Sequence, residues 1–175
     1  MDKRDLRVIK TKKAIRDTFL ELKKVKSADR ITVTELVEKA MIGKGTFYLH
    51  YQDIPQLYYE LVKESFEEQF DAFDAYEYLL TDPPKFLSEF QKQIAHKGSD
   101  INILLNNLVE IKNYQALIIK TMVNKTFEKG ILPHTKENEL KLKALYGSFL
   151  TILPEHKDNK TIIDSIVTRF VQNVF

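Results

Sequence analysis

The 175-residue sequence contains no cysteine and no tryptophan, and it has only five glycines and five prolines. Without cysteine the chain has no disulfide, no thiolate zinc site and no cysteine nucleophile. No apolar run reaches the ~18 residues of a membrane-spanning helix. The charged start Met1-Asp2-Lys3-Arg4-Asp5 also lacks the apolar segment of a secretion signal. These absences predict a cytoplasmic protein with no membrane partner.

The scarcity of glycine and proline accompanies long stretches in which apolar residues recur at helical spacing, and no segment alternates as a strand does. The pattern predicts an all-α fold of about nine helices. The first four are expected at Thr11–Lys26, Thr32–Ala40, Lys44–Tyr51 and Ile54–Tyr78. Five more are expected at about 84–97, 101–108, 114–129, 136–153 and 161–174.

Charge is unevenly distributed along the chain. The net charge is only +2, but residues 1–50 hold 13 Lys/Arg and 7 Asp/Glu, whereas residues 51–175 hold 14 and 18. The first part is therefore at +6 and the rest at −4. A basic end on an acidic remainder is typical of a protein that meets a polyanion at that end, although surplus lysines also simply solvate a helix.

Two short helices are marked by their capping residues. Thr32 and Glu35 form a capping-box pattern, and Gly43 stands where the next helix begins. Asp53 and Gln56 repeat the pattern at the start of the fourth helix. Two helices this short need the first helix to cover them, so the segment predicts a three-helix module with a helix-turn-helix motif at about residues 32–51.

The third helix has two chemically different faces. Phe47 and Tyr51 are four residues apart and are expected to point into the module. The other side then carries hydrogen-bonding groups of moderate size, from Lys44, Thr46, Tyr48 and His50. Such a face suits insertion into a DNA major groove. Glycine at position 45 weakens a helix but lets its backbone approach another surface closely.

These residues resemble a known family. The segment Ile31–Val37, followed by Gly43-Lys44-Gly45-Thr46-Phe47-Tyr48-Leu49-His50-Tyr51, is similar to the DNA-binding domain of the tetracycline-repressor (TetR) family. The resemblance covers about residues 8–60 and implies a DNA-binding domain at 1–52 and a helical regulatory and dimerisation domain at 53–175. It also implies roles for the DNA-contacting residues: Lys44, Gly45 and Thr46 at base edges or nearby phosphates, Tyr48 and His50 on the DNA backbone, and Thr34, Thr11 and Lys12 on flanking phosphates.

Three positions depart from the family pattern. Met41 stands where the turn commonly has glycine, and methionine tolerates a left-handed backbone poorly, so a less common turn is expected. Gly43 replaces a serine or threonine cap. Ile54 stands where the family often has a lysine that touches phosphate, which leaves that contact in doubt.

The aromatic residues after position 60 have two interpretations. At their spacing they are typical of a helix-bundle core. The resemblance instead implies a small-molecule pocket whose occupancy changes the spacing of two DNA-binding heads. The residues assigned to that pocket are Phe66, Phe70, Phe73, Phe90, His96 and Tyr114.

The last two helices carry broad apolar faces that suit half of a four-helix dimer interface, the alternative being packing within the chain. The residues assigned to the interface are Leu145, Phe149, Ile152, Ile166, Phe170 and Val174. A homodimer agrees with the implied function, because paired heads about one helical turn (~34 Å) apart read a palindromic operator in double-stranded DNA.

The expected function is therefore a sequence-specific transcriptional regulator, a repressor released by a small-molecule inducer. The four histidines lack metal-ligand spacing and no catalytic motif is present, so no enzyme activity, catalytic residue, metal or cofactor is expected. Two alternatives stay open: a dimeric DNA-binding protein that needs no ligand, and a helical adaptor or small all-α enzyme that does not bind DNA.

Overall fold

The computed structural model describes residues 3–94, 100–155 and 158–175, and in these ranges the fold is all-α. Ten α-helices and two 3-10 turns, at Ala28–Arg30 and Ala75–Glu77, make up the described chain. The helices are α1 Lys3–Lys23, α2 Val33–Lys39, α3 Lys44–Tyr48, α4 Ile54–Asp71, α5 Tyr78–Thr81, α6 Pro83–Ile94, α7 Asp100–Leu104, α8 Leu108–Glu128, α9 Lys136–Glu155 and α10 Lys160–Val174.

The predicted all-α class is confirmed, but several helix limits differ from the expected ones; α3, for example, ends at Tyr48 instead of Tyr51, and α8 begins at Leu108 instead of about residue 114. The first helix begins eight residues earlier than predicted, at Lys3, although residues 5–10 are exposed and lie against no core. The predicted fourth helix ends at Asp71 instead of Tyr78. Beyond it Phe73 and Tyr76 are buried, and their rings contact each other at 4.9 Å between centroids. Packing of these rings overrides the local helix preference; the remainder of the predicted helix contains the 3-10 turn Ala75–Glu77, and α5 begins at Tyr78.

Packing divides the chain into two compact units. The first contains the described residues within Met1–Glu64 and Gly98–Leu105, and the second those within Ser65–Lys97 and Asn106–Phe175. The predicted domain boundary between residues 52 and 53 lies within the first unit, just before α4.

The first unit is built on the apolar face of α1. Ile15 and Phe19 are fully buried together with Leu36 of α2, Phe47 of α3 and Leu57 of α4. Burying a large apolar side chain stabilises a fold by about 1.5–3 kcal/mol. The two short helices α2 and α3 therefore owe their stability to this shared core, because helices of so few residues are marginal on their own.

Helix α7 belongs to the first unit through polar contacts. Arg16 of α1 donates to Asp100 through Nη2 at 2.8 Å and Nε at 3.1 Å. The Tyr58 hydroxyl of α4 donates to the carbonyl of Leu104. These contacts fix the first residue of α7 on α1 and its last residue on α4.

The second unit has an aromatic core. Phe70, Phe86, Phe90 and Phe149 are each at most 2% exposed, and the fully buried Tyr146 hydrogen-bonds Thr126 through its hydroxyl at 2.6 Å. Stacked and edge-on ring pairs of this kind stabilise by about 0.5–1.5 kcal/mol beyond the area they bury. No described helix combines the length and the apolar composition needed to cross a membrane.

Candidate nucleic-acid interface

Helix α2 begins at the cap predicted for it, with one difference. The Glu35 backbone N–H donates to Thr32 Oγ1 at 3.2 Å, as a capping box requires. The Glu35 carboxylate instead binds Lys26 Nζ. The charge of Lys26, in the segment after α1, therefore replaces the second half of the box and ties that segment to α2.

The turn between α2 and α3 has a methionine in left-handed conformation. Met41 has a φ of 53° and a side chain that is 92% exposed. Its N–H donates to the Glu38 carbonyl at 3.2 Å, and the Ile42 N–H donates to the Val37 carbonyl at 3.0 Å. These two bonds are the Schellman closure that glycine usually permits. The expectation of a less common turn was wrong, because the backbone keeps the usual closure and places methionine in a strained conformation.

Helix α3 is held by two buried aromatic rings. Phe47 is fully buried and Tyr51 is 5% exposed, and their ring centroids are 5.8 Å apart. Gly43 caps the helix in an extended conformation that any residue can adopt, and its side is open apart from Thr46 Oγ1 at 3.9 Å from an added Cβ. The predicted division of α3 into a buried and an outward face is confirmed at these positions.

The residues on the outward face of α3 make few packing contacts within the chain. A Cβ built on Gly45 meets nothing within 4 Å. Lys44 is exposed and forms no ion pair with any described residue, and the Tyr48 side chain is 57% exposed. The fold therefore does not require glycine at position 45, nor a lysine or a phenol beside it. These residues are free to contact an external surface.

The structure brings the predicted contact residues of α1 close to this helix. The Nζ of Lys12 lies 5.9 Å from the centre of the Tyr51 ring, and Thr11 is half-exposed next to it in the chain. Thr34 is exposed in the first turn of α2. Thr46 and His50 are half-buried at the sides of α3, so they offer less of their surface than Lys44 and Tyr48.

A cavity of about 420 Å³ beside Tyr51 shows which basic groups of α1 are available. Lys13 pairs with Asp17 at 2.6 Å across an exposed contact four residues apart, and Arg16 binds Asp100 at 2.8 Å, so each has a carboxylate partner within the unit. Lys12, which also lines the cavity, has no ion-pair partner among the described residues. Among the described cations that line this cavity, Lys12 is therefore the one without a carboxylate to displace when it meets a phosphate.

Tyr51 and Ile54 serve the core. Burial, with the carboxylates of Glu64 and Glu60, raises the pKa of Tyr51 to about 12, so its hydroxyl keeps its proton. Ile54 is 8% exposed at the start of α4. An apolar residue is thus needed where the resembled family often has a phosphate-contacting lysine, and that contact is absent from this position.

Sequence reasoning missed Leu49, the residue that follows α3. Its side chain is 81% exposed and its N–H donates to the Gly45 carbonyl at 3.1 Å, which places it one helical turn after Gly45. The spacing of Leu49 from Gly45 is visible in the sequence. Leu49 has no hydrogen-bonding group, however, and hydrogen-bonding groups were the signal that identified the other side chains of the outward face.

The predicted pocket residues of the second unit pack against one another. Phe66 and Phe70 stack at 5.8 Å, Phe70 and Phe90 at 5.8 Å, and Phe73 meets Phe90 edge-on at 6.5 Å. All four are at most 4% exposed, so they form part of a buried core. Tyr114 is half-exposed on α8, and His96 lies outside the described residues.

The same core contains an unsatisfied polar atom. The hydroxyl of Tyr76 is buried and has no hydrogen-bond partner among the described residues. Its ring contacts the predicted pocket residue Phe73. A separate open cleft of about 600 Å³ is lined in part by Phe73, Tyr78 and Lys85.

Most of the predicted dimer residues meet within one chain. Leu145, Phe149 and Ile152 of α9 and Ile166 and Phe170 of α10 line a single apolar cavity of about 110 Å³. Leu145 and Phe149 are at most 2% exposed, so they have almost no surface left for a partner.

Helix α10 does present apolar surface. Ile162 is 60% exposed and Ile166 is 52% exposed, one helical turn apart, and Phe170 and Val174 are partly exposed. Of the surface that the sequence assigned to a dimer interface, the stripe on α10 therefore remains available to a partner.

No group of three or more potential metal ligands occurs among the described residues.

Comparisons with protein-family models, with curated proteins and with solved structures found no match for this chain.

Proposed function

We propose that this protein is a sequence-specific DNA-binding transcriptional regulator of the TetR kind, acting as a cytoplasmic homodimer without catalytic activity. The observation that carries the proposal is the outward face of α3. It combines an exposed lysine that pairs with no carboxylate in the described part of the chain, an exposed phenol, and a glycine at which an added Cβ meets nothing within 4 Å. Duplex DNA accounts for all three, because phosphates attract the cation, accept from the phenol and approach a bare backbone.

The charge distribution supports the same partner. Residues 1–50, with a net charge of +6, belong to the unit that carries α3; that unit as a whole is at +3, and the second unit is at −1. A polyanion would therefore be attracted to the first unit, and most strongly to its first 50 residues. The free amine of Lys12 beside Tyr51 extends the cationic surface from α3 to α1.

The proposed homodimer rests on the stripe of α10. Ile162, Ile166 and Phe170 form an apolar ridge that water would otherwise cover, and a second copy supplies a matching apolar surface. Two heads held in this way read a palindromic operator with far greater affinity than one head alone.

Release by a small molecule is the remaining part of the proposal. A buried hydroxyl without a partner is uncommon in folded proteins and is costly unless water or a ligand binds it. Tyr76 in the core of the second unit therefore supports an aromatic, hydrogen-bonding inducer that displaces a ring such as Phe73. The inducer would act by binding one of two head spacings more tightly than the other.

The decisive experiment measures binding of the purified protein to duplexes that tile the DNA flanking its own gene, by fluorescence anisotropy at a fixed salt concentration. We expect one duplex to bind at least ~1000-fold more tightly than random sequence. Binding without sequence preference would favour the ligand-independent DNA-binding protein. Absence of binding to any duplex would favour the adaptor and contradict the proposal.

A matched pair of variants identifies the surface that binds. Lys44→Gln removes one exposed charge from α3, and Lys120→Gln removes one exposed charge from α8 in the second unit. We expect Lys44→Gln to reduce the slope of log affinity against log salt by about one, because one phosphate contact is lost. Lys120→Gln should leave the slope unchanged. Equal effects of both variants would mean that the contact is not made by α3.

A further inference from the structure

Leu49 occupies the outermost position of the helix that faces the proposed DNA. It follows α3 with a helical backbone, φ −70° and ψ −20°, and its N–H donates to the Gly45 carbonyl. Phe47 and Tyr51 are buried on the opposite side of the same turn. The side of α3 that points away from the core therefore includes, beside the exposed Lys44 and Tyr48, a bare backbone at Gly45 and a leucine side chain that is 81% exposed.

The chemistry of this surface determines which groups of duplex DNA it can contact favourably. A leucine has no hydrogen-bonding group, so it gains nothing from a phosphate or from the donors and acceptors of base edges. The thymine 5-methyl group is the apolar feature of the major groove, and it distinguishes thymine from the other bases. With no side chain at Gly45, the neighbouring backbone leaves space for the base edge to approach Leu49.

We propose that Leu49 determines sequence specificity by packing against a thymine methyl group in each half of the operator. The proposal rests on the proposed function, since it names the base that the DNA-facing surface recognises. Lys44 and Tyr48, on the same helix, then position the protein on the DNA backbone, and Leu49 reads the sequence.

The test removes the methyl group from the DNA and the leucine from the protein. A binding site is first selected from random duplexes, and each thymine is then replaced in turn by uracil, which keeps base pairing and lacks only the methyl group. For the wild-type protein we expect about a fourfold loss of affinity at one position of each half-site, the effect of exposing one methyl group. Leu49→Ala should bind the thymine and uracil sites equally.

Two further variants keep the test falsifiable. Leu49→Gln retains the length of the side chain without its apolar character, and it too should lose the preference for thymine. Leu140→Ala truncates a leucine of α9 that is 56% exposed and should keep the fourfold ratio of the wild type. A melting temperature equal to that of the wild type establishes that each variant is folded.

The outcomes separate this proposal from the proposed function. A wild-type protein that selects a site but tolerates uracil at every position overturns the role of Leu49 and leaves the regulator intact. A thymine preference retained in both Leu49 variants does the same. A wild-type protein that selects no site overturns both.

Discussion

Replacing Gly45 with alanine should make the protein more stable and a weaker DNA binder. A Cβ at this position meets nothing within 4 Å, so the added methyl group causes no clash within the chain. Glycine inside a helix is about 0.5–1 kcal/mol less favourable than alanine. The gain should raise the midpoint of urea unfolding and increase the melting temperature by roughly 1–4 °C for a chain of this size.

The effect on DNA binding has the opposite sign. If the Gly45 backbone lies against DNA, an added methyl group forces the two surfaces apart, and overpacking of this kind costs about 1–3 kcal/mol. Each 1.4 kcal/mol is a factor of about ten in affinity. We therefore expect at least a tenfold loss in an anisotropy titration with the selected operator.

Gly147 provides the matched control. It lies within α9 of the second unit, and a Cβ built there would be 3.6 Å from Ile119 Cδ1, an ordinary van der Waals contact. Gly147→Ala should stabilise the protein by a similar amount and leave DNA affinity unchanged. The reasoning is refuted if Gly45→Ala binds DNA as the wild type does, or if it lowers stability.

Three other substitutions test separate parts of the structure. Met41→Gly should raise the free energy of unfolding by about 0.5–1 kcal/mol in urea titrations, because relief of the strain at a left-handed residue outweighs the larger conformational entropy that glycine loses on folding. A lower midpoint would contradict this account of the turn. Asp100→Asn should lower the free energy of unfolding by about 1 kcal/mol, because Arg16 loses its carboxylate partner at 2.8 Å at a partly buried site and keeps Glu64 at 3.8 Å; an unchanged midpoint would mean that the pair contributes nothing. Ile166→Glu should convert the proposed dimer into folded monomers in sedimentation, whereas Val109→Glu, at an exposed apolar position of α8, should not; unchanged sedimentation of both would place the interface elsewhere.

Local signals in the sequence predicted local structure well. The Glu35 N–H bonds Thr32 as expected, and the Gln56 N–H donates to Asp53 Oδ1 at 2.7 Å at the start of α4. Both bonds join residues three apart, so the residue types and their spacing are sufficient to specify them. Features that depend on distant parts of the chain were not accessible in this way. The break after Asp71 follows from rings that pack against α6, and the separation along the chain hides that contact.

The periodicity of apolar residues predicted which side chains avoid water, but not what covers them. Phe149 on α9 and Ile166 on α10 both lie on apolar stripes with helical spacing, and both were assigned to a dimer interface. Phe149 is covered by rings of its own chain, at 5.9 Å from Phe90, whereas Ile166 is half-exposed. Leu49 differs from Phe149 in that its apolar side chain is 81% exposed. Only the three-dimensional arrangement separates these cases, because an apolar residue has the same pattern whether its partner is internal or external.

The segment of residues 41–49 departs three times from what stability alone favours. Met41 occupies a left-handed conformation, Gly45 weakens a helix in which alanine has space, and Leu49 exposes an apolar side chain to water. Departures from local rules tend to concentrate where a protein performs its function, since elsewhere selection for stability removes them. Two of the three, Gly45 and Leu49, lie on the outward side of α3, the side on which Lys44 and Tyr48 are also exposed. A structural module under no further constraint would have alanine at 45 and a polar residue at 49, so an external surface that approaches this side explains both choices at once.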